Sequence, residues 1–222
     1  MNDGTPLLHR DDPSRDPLGG HVKVTREDWL AQARDTLVRD GVAQVKVLAL
    51  ASRMEVSRSS FYWYFRNRDD LLQALLEEWE ARNTASIATQ CARPASNITE
   101  GVCNFFLCFV DGARFDSGLD FAVREWARRD EVLRARVDAA DAARLKAVTA
   151  MFAAHGFDPR EADARARILY FMQLGYHALD VREPIAERLD RIGPYLKGFT
   201  GQEPDAMAMR RFLDTVDSLG IA

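Results

Sequence analysis

The sequence predicts an all-α fold, with an N-terminal three-helix helix-turn-helix domain joined to a larger helical domain. Three observations predict it. Residues 45–72 read as two short helices, a tight turn between them and the start of a third. From Asn97 onward, apolar residues recur at helical spacing almost to the C-terminus. Asp158-Pro159-Arg160-Glu161 supplies an N-cap, an N1 proline and an N3 carboxylate in one run, a firm helix start inside that second half.

The chain has 222 residues, 47% apolar and 29% charged, enough for one large domain or two small ones. Its net charge of −4 excludes a general polyanion binder, so any nucleic-acid site has to be a local patch. Cys91, Cys103 and Cys108 are an odd, sparse set, and no secretory signal precedes them, which leads to the expectation of a reducing cytoplasm. No apolar run reaches the ~18 residues of a membrane span. Residues 1–22, rich in Asp, Arg, Pro and Gly and net acidic, read as a disordered tail.

The helix-turn-helix domain is assigned to residues 23–70. Its first helix starts at Thr25, with Asp28 completing a near-capping box, buries Trp29, Leu30, Ala33 and Leu37, and closes at Asp40-Gly41. The second, Val47 to Met54, carries Val47, Leu50, Ala51 and Met54 as one apolar stripe. Glu55 and Val56 make the turn, and Ser57 offers an N-cap oxygen to the third. There Phe61, Tyr64 and Phe65 face inward, while Ser59 and Trp63 point out, flanked by Arg58, Ser60 and Tyr62. Between Gln44 and Arg68 the charges are Lys46, Arg53, Arg58, Arg66 and Arg68 against Glu55 alone. Hydroxyls and a guanidinium on such a helix suit base edges in the DNA major groove, and Tyr62, Lys46 and Arg68 suit phosphates. The DNA-contacting candidates are Lys46, Ser57, Arg58, Ser59, Ser60, Tyr62, Trp63 and Arg68. By residues alone, a plain helical hairpin with a solvated basic face reads equally well.

Residues 25–76 resemble the N-terminal domain of TetR-family transcriptional regulators without a gap. Thr25-Arg26 opens the first helix and Gly41 ends it; LALASRMEVS spans the second and its turn; SRSSFYWYFRNRDDLLQAL matches the third and the start of the fourth. The resemblance implies a homodimer that binds double-stranded DNA at an operator and answers to a small effector bound in the second domain, most often as a repressor. Three positions depart from the pattern. Glu55 stands where the family usually has Gly and must turn left-handed, at a cost of roughly 1–2 kcal/mol. Lys46 replaces a Ser or Thr and makes a weak N-cap, and Leu48 stands where a polar DNA contact is common.

Residues 71–90 read as a connecting helix that begins near Arg68 and runs to about Thr89, with Leu71, Leu72, Leu75, Leu76 and Trp79 as its stripe. Cys91 to Ser96, with Pro94, breaks it. In residues 91–222, Asn97 with Glu100 caps a helix that is apolar almost all round. A short helix then holds Phe121, Val123 and Trp126. A long one runs from about Asp130 to Ala154, the next from Pro159 to about Val181. Pro184 starts another that Gly193-Pro194 ends, and the last spans Asp205 to Leu219. The Pro159–Val181 helix, with small residues along it, and a later helix are expected to form the homodimer interface.

This half offers Phe105, Phe109, Trp126, Phe152, Tyr170, Tyr176 and His177 as candidate lining of an effector cavity; the competing reading is that they fill the core. The four histidines lack i, i+4 partners, no cysteine pair has zinc spacing, and no glycine-rich phosphate loop occurs. No catalytic residue, metal or cofactor is therefore assigned. The sequence reads as a DNA-binding transcriptional repressor that binds a palindromic operator as a homodimer and is released by a small apolar or aromatic effector. The alternative is a helix-turn-helix protein-interaction module without sequence-specific DNA binding. An enzyme reading finds no nucleophile-base grouping to support it.

Overall fold

The computed structural model describes residues 24–220, and these are helical throughout with no strand among them. The tail assigned to residues 1–22 lies outside the described residues. Helix α1 is Arg26–Asp40, α2 Val47–Arg53, α3 Arg58–Phe61 and α4 Arg68–Trp79. Then follow α5 Ala85–Cys91, α6 Ile98–Val110, α7 Ser117–Ala127, α8 Glu131–Ala154 and α9 Pro159–Ala178. Short helices α10 Ile185–Asp190 and α11 Ile192–Thr200 lead to α12 Ala206–Ser218.

Local chemistry accounts for most ends. Thr25 and Asp28 form a full capping box, each side chain satisfying the other's backbone N–H. Asp158 accepts from the backbone N–H of both Arg160 and Glu161, with Pro159 just behind it. Glu55 takes the left-handed conformation expected of it, at φ +55°. Three expectations fail. Ser57 occupies the N-cap of α3 without capping it, because its Oγ pairs with Ser59 Oγ at 2.7 Å instead. Glu100 Oε2 reaches back to the N–H of Ser96, not to that of the Asn97 cap. Gly193-Pro194 falls within the first turn of α11 and does not end a helix. A proline there loses no hydrogen bond, since first-turn N–H groups have no partner in the helix.

The connecting helix runs through to Cys91 but is interrupted by a π-turn at Glu80–Thr84. Asn83 explains it. Its buried amide donates to Asp116 O at 3.0 Å and accepts from Asp116 N at 2.9 Å, which draws the helix toward the start of α7. Such π-turns are rare and occur mostly as single-turn insertions inside α-helices.

Two apolar cores form. One joins α1–α4 with Leu119, Val123 and Ala127 of α7 and Leu133, Val137 and Ala140 of α8. The other joins α5, α6, the second part of α8, α9, α11 and α12. The helix-turn-helix is thus not packed on the connecting helix alone: α7 and the start of α8 close its core.

Candidate nucleic-acid interface and effector cavity

Phe61 is the centre of the helix-turn-helix. It is fully buried, edge-on to Trp29 at 5.2 Å and stacked on Phe65 at 5.4 Å. Tyr64 donates its hydroxyl to Val24 O at 2.9 Å, and Arg26 covers the Phe65 ring. These inward contacts fix the rotation of α3 and so determine what faces out. Lys46, Ser57, Arg58 and Ser59 are exposed, as are Tyr62 and Trp63, the latter at 78%. Arg58 lies 5.7 Å from the Tyr62 ring centroid, a cation–π pair that holds the guanidinium at the surface. Ser60 is half-buried and donates its hydroxyl to Ser57 O at 2.8 Å.

Arg68 has a different task. Its Nε and Nη2 donate to Val45 O and Val42 O at 2.6 and 2.7 Å, so it clamps the start of α4 to the turn before α2. Of the eight candidates it is the one whose guanidinium serves the backbone. Near it, Asp70 holds Arg66, and the hydrogen bonds from Arg66 keep the Asp70 carboxyl below its ordinary range.

In the second half a cavity of about 40 Å³ lies among α6, α9, α10, α11 and α12. Phe106, Phe109, Met172, Tyr176 and Tyr195 give it an apolar and aromatic wall, and Gln173 and Arg188 are its polar groups. Gln173 is fully buried, and its Oε1 has no partner among the described residues. The other end of that amide meets His177 Nε2 at 3.1 Å. Burial, helped by Arg188, lowers the His177 pKa, so the ring is neutral near pH 7 and accepts the amide proton. That orientation leaves the Gln173 carbonyl oxygen as the free acceptor. Tyr176 and Tyr195 share a hydroxyl–hydroxyl bond of 2.6 Å, and Arg188 sits 4.6 Å from the Tyr176 ring centroid.

The candidate effector residues separate accordingly. Phe109 and Tyr176 line the cavity; Phe105 packs behind Phe109 at 5.0 Å and His177 behind Gln173. Phe152 is buried in the second core against Phe157. Tyr170 belongs to an ion network, and Trp126 packs against the first core, remote from this cavity. Gln173 and Arg188 were not among the candidates. Gln173 had a signal, a polar residue one turn before His177 on an otherwise apolar stretch of α9.

Between interface and cavity lies the buried ion network. Arg144, fully buried, donates to Asp120 at 2.8 Å and to Thr84 Oγ1 at 3.0 Å, and lies over the Trp79 and Phe115 rings. Trp79 Nε1 donates to Asp120 at 2.7 Å; Arg124 bridges Asp120 and Asp141; Tyr170 donates to Asp141 at 2.6 Å. Burial pushes the Asp120 carboxyl up, but Arg144 and Arg124 overcome it and hold it below the carboxylate range. The network therefore grips both sides of the π-turn. All three cysteines are buried and free, and burial pushes the Cys103 and Cys108 thiols up to about 12, so they stay protonated and inert. No His, Cys, Asp and Glu group fit to hold a metal occurs among the described residues, and no described helix is long and apolar enough to cross a membrane.

Residues 30–75 match the family model described as bacterial regulatory proteins, tetR family. That stretch, from within α1 to the middle of α4, is similar to the N-terminal domain of that family. The likeness to a curated relative is longer than that match. The class C tetracycline repressor protein of Escherichia coli is 31% identical over 121 residues, 53% of this chain and 55% of the relative. The chain thus matches about half the length of that relative. Among solved structures, AmtR of Mycobacterium smegmatis superimposes with a TM-score of 0.60 at 19% identity, covering 95% of this chain and 99% of that one. The fatty acid degradation regulator FadR of Bacillus halodurans does so with a TM-score of 0.57 at 18% identity, covering 82% and 96%. FadR of Bacillus subtilis, solved with stearoyl-CoA, gives 0.54 at 15% identity, covering 79% and 98%. At these identities the likeness shows a shared fold, with a helix-turn-helix followed by a larger helical domain.

Proposed function

We propose that this chain is a ligand-responsive transcriptional repressor, binding a palindromic operator as a homodimer and leaving it when a small effector enters the second domain. The observation that carries this reading is the outward face of α3 and of the turn that follows it. Arg58, Tyr62 and Trp63 stand exposed on a rigid aromatic base, with no carboxylate between Val56 and Arg68. Residues 23–70 form the reading unit, 71–90 the link and 91–222 the effector and dimer unit. One reading head covers few base pairs, so two heads about 34–36 Å apart, or a multiple of that, are needed for useful specificity. The exposed apolar side chains Ile168 and Phe171 on α9 support a dimer contact through that helix.

The effector is an apolar or aromatic molecule bearing a hydrogen-bond donor, for which Gln173 Oε1 is the free acceptor. The cavity of about 40 Å³ is smaller than such a molecule, so binding has to move the wall. Displacement of α6 or α9 reaches the π-turn through Tyr170, Arg144 and Asp120. An effector shifts the operator equilibrium only through different affinity for the two arrangements.

The test is operator capture from fragmented genomic DNA at near-physiological salt, followed by sequencing of the bound fraction. Enrichment of a short palindrome is expected, and the Arg58→Ala/Tyr62→Ala double variant should lose it while remaining dimeric. Retained enrichment in that variant would remove the assignment of α3. No enrichment by the wild-type protein would favour a protein-interaction module, whose binding would lack the steep salt dependence of counterion release.

A further inference from the structure

We propose that Leu48 is a base-reading residue that packs on the 5-methyl group of a thymine in each half-site. The inference rests on the DNA-binding function proposed above.

Leu48 is 70% exposed and packs into neither apolar core. A lone exposed leucine is ordinary, but its placement here is not. Arg53 fixes the rotation of α2 by donating to Thr36 Oγ1 at 2.9 Å and to Asp40 at 2.8 Å, both on α1. Leu50 and Ala51 take the core side. With a helical period of 3.6, Leu48 and Ser52 then lie on the flank away from α1, the open side of the helix-turn-helix. Lys46 and Ser52 beside it are exposed and polar, so a leucine is the exception on this face.

The hydroxyls that would otherwise read bases are partly occupied. Ser57 and Ser59 bond to each other, and Ser60 donates to Ser57 O. The large exposed side chains here are Leu48, Arg58, Tyr62 and Trp63, of which Arg58 and Tyr62 pair with each other. Among the base edges of the major groove only thymine shows an apolar group, its C5-methyl. Covering that methyl with Leu48 removes apolar surface of both from water, which is worth about fourfold in affinity per half-site and about tenfold or more across a palindrome.

Full-length protein is used to select its site from random-sequence duplex DNA. Each thymine of the selected site is then replaced by deoxyuridine, which lacks only the methyl, and Kd is measured at fixed salt. One thymine per half-site should lose about fourfold on replacement in the wild type. In Leu48→Ala that thymine and uracil should become equivalent, with the other positions unchanged and the melting temperature preserved. A selection with Leu48→Arg should exchange that thymine for guanine, to which arginine bonds in bidentate fashion. A site at which no methyl matters, a methyl effect that survives in Leu48→Ala, or an unaltered thymine preference in Leu48→Arg would each overturn this inference alone. Failure of the wild type to select any site overturns the DNA-binding function and the inference together.

Discussion

The helix-turn-helix and the junction beneath it are built on opposite principles. The helix-turn-helix uses short helices, α2 of seven residues and α3 of four, held from inside by aromatic contacts and carrying their polar groups outward. The junction uses long helices and turns its charges inward: Arg144 and Asp120 are buried against each other around the π-turn. An outward polar group makes its full interaction only when a partner arrives, whereas the inward charges are already paired with one another inside the fold. The difference separates a surface open to a partner from a junction closed on itself.

The comparison can be broken most severely at Asp120. Replacing it with Ala strands the buried Arg144 charge and should cost about 3–5 kcal/mol of stability, read by urea denaturation; a loss under 1 kcal/mol would show that the network is solvated and does not hold the π-turn. Trp79→Phe removes the indole donor to Asp120 and part of the ring beneath Arg144 and should cost about 1–3 kcal/mol, measured the same way. Thr25→Ala deletes the α1 cap and should cost about 1 kcal/mol. Glu55→Gly relieves the left-handed glutamate at φ +55° and should raise stability by up to ~1 kcal/mol; a decrease would mean that Glu55 makes a compensating contact.

Acid sharpens the same contrast. Both Asp120 and His177 have pKa values lowered by folding. In each case the unfolded chain binds more protons over the affected range, so stability falls as pH falls. The His177 contribution is complete above its unfolded value near 6.5 and is lost as pH drops through the folded value beneath it. The Asp120 contribution is complete above about 4 and is lost below that. Melting temperature should therefore decline in two stages on acidification, and His177→Gln should remove the upper stage. A flat profile between pH 7 and 5 in the wild type would contradict the burial of His177.

Sequence alone carried far at the N-terminus. The offsets of Phe61, Tyr64 and Phe65 against Ser59 and Trp63 show which side of α3 and of the turn after it is buried, because the helical period persists past the end of the short helix. Glu55 was readable as left-handed only through the resemblance, because it stands where that pattern has glycine. Helix starts at Thr25, Asp130 and Asp158 were readable because capping is settled within a few residues of chain. Even here Ser57 misled, since a hydroxyl between two other serines has more than one partner to choose from.

What the sequence could not determine is which distant residues meet. Arg68 looked like a phosphate contact until folding brought the Val42 and Val45 carbonyls within reach of its guanidinium. Trp126 looked like cavity lining, yet α7 delivers it to the first core. Gln173 and Arg188 acquire meaning only because α9 and α10 fold over α6, and the π-turn at Glu80–Thr84 exists because Asn83 finds Asp116 thirty-three residues away. Periodicity and capping are local, so the sequence determines helices and their buried faces. Partner choice among buried polar groups depends on long-range packing, and the tertiary structure alone decided it.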